Sequence, residues 1–480
     1  MIRIIIGIVA LIIAMPVQAE WRIAESPRFQ VYSELTEDEL RTFTIELEQF
    51  DRLLRLYTNT TAEPAELKVR IFMVDNQDAV ERYIGQSGVA GFYVGSVNGP
   101  IAVIPEDQVG FGFDTMSPRN ILFHEYTHHF MLQYFSAAYP AWYIEGFAEY
   151  FATVRFREDG RAEVGHPPTY RTRSFQYGTW VSTERMLSNE IENDHMTYAQ
   201  GWLITHLGAT DPEVRAMLGD YLGRLRNGES GREAYAASFG EWNRSFNRVL
   251  QQYLLRNRFV ASAIELDPLP DNAVSITPIS DEQAAIALLA PRSTGRMGYA
   301  VRRAIEYYPS NPQGHVELAL DHLADDEYDE AMAAVDHALA LQSNHVEANI
   351  AKGDILLAMA EAADDPQSPY WEQSREFIIR ANNANPNSPS ALASYYSSFP
   401  SRASRPDSAV AALERAFVLV RQNPGIRLML AEEYLAQDRY VEAANIAGPL
   451  AQNPHGGGAA ARARAIVEAA RAGEQGESDN

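Results

Sequence analysis

The hydrophobic pattern changes period several times along this chain, and each change marks an element. Phe29 to Ser33 alternates apolar and polar residues and predicts a short strand. From Thr36 to Tyr57 the period becomes helical. Phe43, Leu47, Phe50, Leu53 and Leu54 form one stripe, and Thr36 with Glu39 fits a capping box. Leu67 to Val74 is rich in β-forming residues and predicts a buried strand, and Asn76 to Ile84 predicts a short helix. Gly91 to Ser96 and Ile101 to Ile104 flank Asn98-Gly99, a strong hairpin signal. The hairpin precedes a helix, so its edge could lie beside a cleft and hold an extended peptide by main-chain hydrogen bonds; a plain structural hairpin fits the pattern equally well.

After a glycine-rich loop at 110–116, Ser117-Pro118 opens a helix with proline in its first turn. Leu122, Tyr126, Phe130 and Tyr134 recur at a four-residue step and make its apolar face. Pro140 opens a second, aromatic-rich helix through Phe151. The stretch from Gly160 to Glu184 is polar and reads as loop, with Tyr170 and Tyr177 near a cleft. Helical periods return over Met196 to Leu207, from Asp211 to Arg226, and again up to Asn257. Asp267 to Pro278 is proline-rich and predicts a linker.

The last third repeats. Tyr328-Asp-Glu-Ala331 and Tyr440-Val-Glu-Ala443 follow one pattern, and Asn311-Pro312, Asn385-Pro386, Asn423-Pro424 and Asn453-Pro454, with Asn344-His345 in an equivalent place, mark breaks between helices. Steps of about 30 to 40 residues between such breaks indicate stacked helical hairpins.

Composition narrows the function. The chain has 480 residues and a net charge of −24, which disfavours nucleic acid as a partner. It has no cysteine, so any zinc site must use histidine and carboxylate. Arg3, an apolar run from Ile4 to Met15, and Val17-Gln-Ala19 read as a signal peptide. The run is short for a membrane span. The expectation is an exported chain, in a bacterial periplasm, with no stable span after cleavage; an uncleaved anchor is the alternative.

The chemistry lies on the two central helices. His124-Glu125-x-x-His128 puts two imidazoles four residues apart on one face, with a carboxylate beside them. Both histidines can bind one zinc ion, and Glu125 can take a proton from water. His129 points off that face and reads as structural. After a spacer of sixteen residues from His128 comes Glu145, followed on the same face by Glu149. Glu145 can be the third ligand and Glu149 can hold the far nitrogen of a ligating histidine, although the two could exchange these roles.

These motifs resemble the gluzincin metallopeptidases: His-Glu-Tyr-Thr-His, a short spacer, then Glu145-Gly-Phe-Ala-Glu-Tyr150. The chain is also similar to bacterial peptidase-MA-like domains that carry tetratricopeptide repeats. The resemblance implies His124, His128 and Glu145 as ligands of one zinc ion and Glu125 as general base. It further implies a downstream Tyr or His that steadies an oxyanion, for which Tyr198 and His206 are candidates. The chain has no Gly-x-Met-Glu-Asn run, so the resemblance points to a peptidase other than a typical aminopeptidase.

The expected plan is a signal peptide over 1–19, an α+β zincin-like metallopeptidase domain over 20–265, a linker over 266–280, an all-α tetratricopeptide-like repeat domain over 281–472, and a disordered tail over 473–480. The expected substrate is a peptide or protein, with a protein partner docking on the repeats. The rival expectation is a catalytically inactive zincin-fold scaffold that acts through its repeats.

Overall fold

The computed structural model describes residues 20–109, 115–135, 137–190, 195–240, 242, 245–270, 272–292 and 298–478. The segment read as a signal peptide and most of the loop at 110–116 lie outside the described residues.

The N-terminal unit is a six-stranded mixed sheet with helices on both faces. Its elements begin with β1 (Arg22–Glu25), β2 (Phe29–Ser33), α1 (Glu37–Thr58), β3 (Val69–Val74), α2 (Gln77–Ile84), β4 (Phe92–Ser96) and β5 (Gly99–Pro105). The helices that carry the chemistry follow, α3 (Pro118–Tyr134) and α4 (Ala141–Ala152). Next come β6 (Arg155–Phe156), β7 (Arg161–Val164), α5 (Thr172–Tyr177), α6 (Thr183–Leu187), α7 (His195–Thr210), α8 (Pro212–Arg226), α9 (Gly231–Phe239) and α10 (Phe246–Arg256). The strands β8 (Ser262–Glu265) and β9 (Ser275–Pro278) close the unit.

The main sheet runs β4-β5-β3-β2-β1-β9, with parallel pairs β2/β3 and β3/β5 at its centre. Successive residues of the central strands serve opposite cores. Ile71 and Met73 join Phe50, Phe123 and Tyr126 on the side of α1 and α3, while Phe72 and Val74 pack with Val80 and Tyr83 of α2 on the other. That two-sided burial explains the unbroken apolar run of β3. The capping box of α1 forms as its sequence predicts, between Thr36 and Glu39.

Two expectations change here. Part of the stretch read as a linker is β9, the antiparallel edge partner of β1, so the proline-rich segment is tied into the sheet. The polar stretch after Gly160 also holds order. β7 pairs with β6 and β8, and α5 follows a turn at Thr169–Arg171. Its Tyr177 is 82 % exposed and does not line the cavity over α3.

The C-terminal unit comprises α11 (Asp281–Ala287), α12 (Gly298–Tyr307), α13 (Pro312–Ala324), α14 (Tyr328–Leu341), α15 (Val346–Ala362) and α16 (Tyr370–Ala384). It continues with α17 (Pro389–Ser397), α18 (Asp407–Leu419), α19 (Pro424–Ala436), α20 (Tyr440–Ala451) and α21 (Gly457–Ser478). From α13 onward the helices pack as sequential pairs, forming tetratricopeptide-like repeats. The repeated tyrosines occupy equivalent places. Tyr328 and Tyr440 each open a second helix, and their hydroxyls reach Asp326 and Asp438, both at a left-handed φ of 58°. The expected tail is helical to Ser478, because Gly473 lets α21 lie against the Tyr440 ring.

The two units are clasped around the β4–β5 hairpin. Val97 at its tip packs into the core of the later repeats. Ser390 Oγ donates to Asn98 Oδ1 at 2.7 Å, and Asn423 Nδ2 donates to the Gly95 carbonyl at 2.7 Å. Among the described residues no helix is long and apolar enough to cross a membrane.

Candidate metal centre

The site is built on α3. Ser117 and Asn120 form its capping box, with Pro118 in the first turn. Asn120 Nδ2 also donates to the Ala152 carbonyl at 2.7 Å, which ties the start of α3 to the end of α4. The back of α3 is dry, as its stripe predicts: Leu122, Tyr126 and Phe130 are buried, and Phe123 stacks on Phe50 at 4.1 Å. Tyr126 donates to Asp51, itself paired with Arg28 and Arg55, so α3 is fixed against α1.

The front carries His124 and His128. Their Nε2 atoms lie 3.0 Å apart, and Glu145 Oε2 from α4 lies 3.3 Å from one and 3.4 Å from the other. A tetrahedral zinc with bonds of about 2.0–2.1 Å separates its donors by about 3.3 Å, so this triangle has the size that such an ion requires. All three side chains are buried. Both Glu145 oxygens and the Nδ1 atoms of both histidines lack an aligned hydrogen-bond partner among the described residues. Buried polar atoms rarely stay unsatisfied; of these, Glu145 Oε2 meets the two Nε2 atoms at one point, which fits a cation, while both Nδ1 atoms point away from it.

The electrostatics point the same way. Burial alone would push the Glu145 carboxyl up, but the charge of His128 and contacts with His124, His128 and His455 hold it well below its ordinary value. Burial pushes His124 down, and Glu145 and Glu149 beside it more than reverse this, leaving it raised.

A cavity of about 910 Å³ opens over the triangle. Glu125 and Tyr198 line it with His124 and His128. The Tyr198 ring lies 6.1 Å from the His124 ring and nearly parallel to it. Tyr198 thus joins the site. His206 does not, and the reason is packing. It is fully buried among Tyr150, Trp202 and Phe259, shares a hydrogen bond with the Tyr253 hydroxyl at 2.7 Å, and does not line the cavity. His129 is turned to Tyr93, whose hydroxyl lies 2.7 Å from Nδ1.

Glu149 lies behind His124, its Oε1 3.6 Å from Nδ1, longer than a hydrogen bond. The same oxygen accepts from Arg171 Nε and Nη2 at 2.8 and 2.5 Å. Arg171 also lies over the Tyr198 ring, 4.4 Å from its centroid. Sequence reasoning missed Arg171, which sits in a segment read as loop. It missed His455 as well, whose Nε2 lies 2.9 Å from Glu145 Oε1. The signal available was local: Asn453-Pro454 before it and three glycines after it mark a tight turn.

One wall of the cavity is β4. It pairs only with β5 among the described residues. Gly95 stands opposite Pro100, which has no N–H to give, so the Gly95 main chain faces outward, and by alternation that of Tyr93 does too. Asn423 takes the Gly95 carbonyl. The opposite wall comes from the repeat unit, including Asn453 and His455.

No family model and no curated protein matches the chain. Among solved structures it is similar to a thermophilic TPR protein of Thermus thermophilus, with 23 % identity and a TM-score of 0.34. The similarity covers 39 % of this chain and 98 % of that one.

Proposed function

We propose that this chain is an exported zinc-dependent peptidase with a gluzincin-like centre. The observation that carries the reading is the triangle of His124, His128 and Glu145, with Glu125 on the same helix and a cavity above. A zinc ion held by these three side chains would supply a Lewis acid that lowers the pKa of water and polarises a carbonyl.

The protein's own groups do the rest. An extended peptide pairs with the outward main chain of β4 at Tyr93 and runs over the triangle. Glu125 accepts a proton from the attacking water and returns it to the leaving amine. The Tyr198 hydroxyl donates to the oxygen that gains charge, held in place by Arg171 against its ring. Arg171 in turn holds Glu149 behind His124. Asn423 closes the far end of the β4 edge, so the peptide has a short strand to pair with.

Metal analysis of the purified protein, with peptide-library cleavage by wild type and Glu125→Gln, tests the reading. The expected result is one zinc per chain in both proteins, cleavage by wild type, and a loss of about 10²–10⁴-fold in the variant. One zinc with no cleavage by either protein would favour the scaffold reading, in which the repeats bind a protein partner. Absence of stoichiometric metal would remove the centre.

A further inference from the structure

The repeat unit reaches into the metal centre. His455 stands on the turn between α20 and α21, more than three hundred residues from the ligands in sequence. Its Nε2 is 2.9 Å from Glu145 Oε1, and its ring is 5.6 Å from that of His128. The turn itself is fixed. Asn453 Oδ1 accepts from the His455 N–H at 2.9 Å, the Asn453 carbonyl accepts from the Gly456 N–H at 3.1 Å, and Gly457 takes a left-handed φ of 48°. The turn fixes the main chain of His455, while its side chain is 51 % exposed and meets the buried Glu145 at its inner end.

The two oxygens of Glu145 are thereby given separate work. Oε2 faces the two histidine nitrogens, and Oε1 faces His455. A carboxylate that offers one oxygen to a metal needs its other oxygen held, or it rotates between one- and two-point binding. Glu145 is fully buried, and no other cation approaches Oε1 as closely among the described residues. Neighbouring contacts hold the repeat unit against α3 and the segment that follows α6. Arg427 Nη2 donates to the Leu132 carbonyl at 3.2 Å, and Gln452 Oε1 accepts from Asn189 Nδ2 at 2.9 Å.

We propose that His455 is a positioning residue of the metal centre, supplied by the repeat unit, which orients the third ligand Glu145. The proposal rests on the zinc reading above. It gives the repeats a role inside the site: one side chain of the repeat unit orients a ligand carried by the other unit. Removing His455 frees Glu145 to rotate and lowers affinity for the metal without unfolding either unit.

The test measures zinc affinity by chelator competition for the full chain as wild type, His455→Ala, His455→Gln and Arg415→Ala. Gln places an amide nitrogen close to the position of the imidazole Nε2. Arg415 pairs with Glu66 across the units, neither of them lining the cavity, and controls for loosened docking. Thermal unfolding of each metal-free protein is recorded alongside. The expected result is zinc binding weakened about ten-fold or more in His455→Ala, largely restored in His455→Gln, and changed less than about two-fold in Arg415→Ala, with metal-free unfolding temperatures unaltered. Wild-type affinity in His455→Ala overturns the proposal and leaves the zinc reading intact. So does equal weakening in His455→Ala and Arg415→Ala, because the effect is then docking alone. A wild type that binds no zinc overturns both.

Discussion

Gly146 on α4 and Gly201 on α7 cross so closely that a methyl group on Gly146 would collide with the Gly201 main chain. The glycine after Glu145 is therefore a packing requirement. It lets α7 lie directly on α4, and α7 carries Tyr198 to the His124 ring. Gly146→Ala must push the helices apart. Overpacking of this kind costs about 1–3 kcal/mol or more. The expected outcome is a lower urea midpoint, and lost cleavage even where zinc remains bound, because Tyr198 retreats from the site. An unchanged midpoint would show that the helices separate freely.

Arg171 and Glu149 form a pair that should be worth more broken than replaced. Glu149 is fully buried, and Arg171 reaches it with two nitrogens. Arg171→Met leaves a buried carboxylate alone, which typically costs about 3–5 kcal/mol. Arg171→Met combined with Glu149→Gln removes the charge together with its partner and should recover most of that loss. Urea unfolding of the two single variants and the double variant gives the coupling directly. Additive losses would mean that the pair is solvated and carries no such strain.

How much of this was legible in the sequence depended on whether the signal was local. The α3 face, the Thr36 cap and the β4–β5 hairpin follow from period and turn chemistry, and all appear at or near the expected residues. His124 and His128 share a helix face by spacing, whereas the choice of Glu145 over Glu149 as their partner came from the resemblance. Arg171 could be read from neither, because it lies in a polar stretch whose order comes from burial against Glu149 and Tyr198. His455 depends on how two units dock, and the hydrophobic pattern of a repeat says only that it stacks. His206 shows the converse error. A histidine on a central helix near the motif looked available for chemistry, yet Tyr253, Trp202 and Phe259 enclose it. β9 was missed because it ends in Pro278 and follows Pro268 and Pro270, which an edge strand tolerates.

Removal of the metal should be visible as lost stability. An ion that binds the folded chain and not the unfolded one stabilises it by about 2.7 kcal/mol at a hundred times its dissociation constant. The carboxylates that raise His124 make the triangle a negative site, and an ion would take the place of the proton they favour there. Added zinc should therefore raise the unfolding temperature of chelator-treated wild type and leave that of Glu145→Ala nearly unmoved. Calorimetry on both proteins decides it. An equal rise in the two would place the binding elsewhere.

His206 should make the N-terminal unit sensitive to acid. Burial among aromatic rings depresses its pKa to about 4, and the nearby Gly165 and Val260 backbone only partly opposes this. In the unfolded chain the same imidazole titrates at about 6.5. Between these values the unfolded state binds a proton that the folded state excludes, so stability rises with pH across that window. The contribution is complete above pH ~6.5, shrinks as pH falls towards ~4, and is gone below that. His206→Gln has no such group, so its stability should fall less on acidification. Urea unfolding at pH 7.5 and pH 4.5 should show wild type losing about 1–3 kcal/mol more than the variant over that interval. Other titrating groups are common to both proteins and cancel in the difference. Equal losses would mean that His206 is protonated inside the fold, and that its contact with Tyr253 forms with a charged ring.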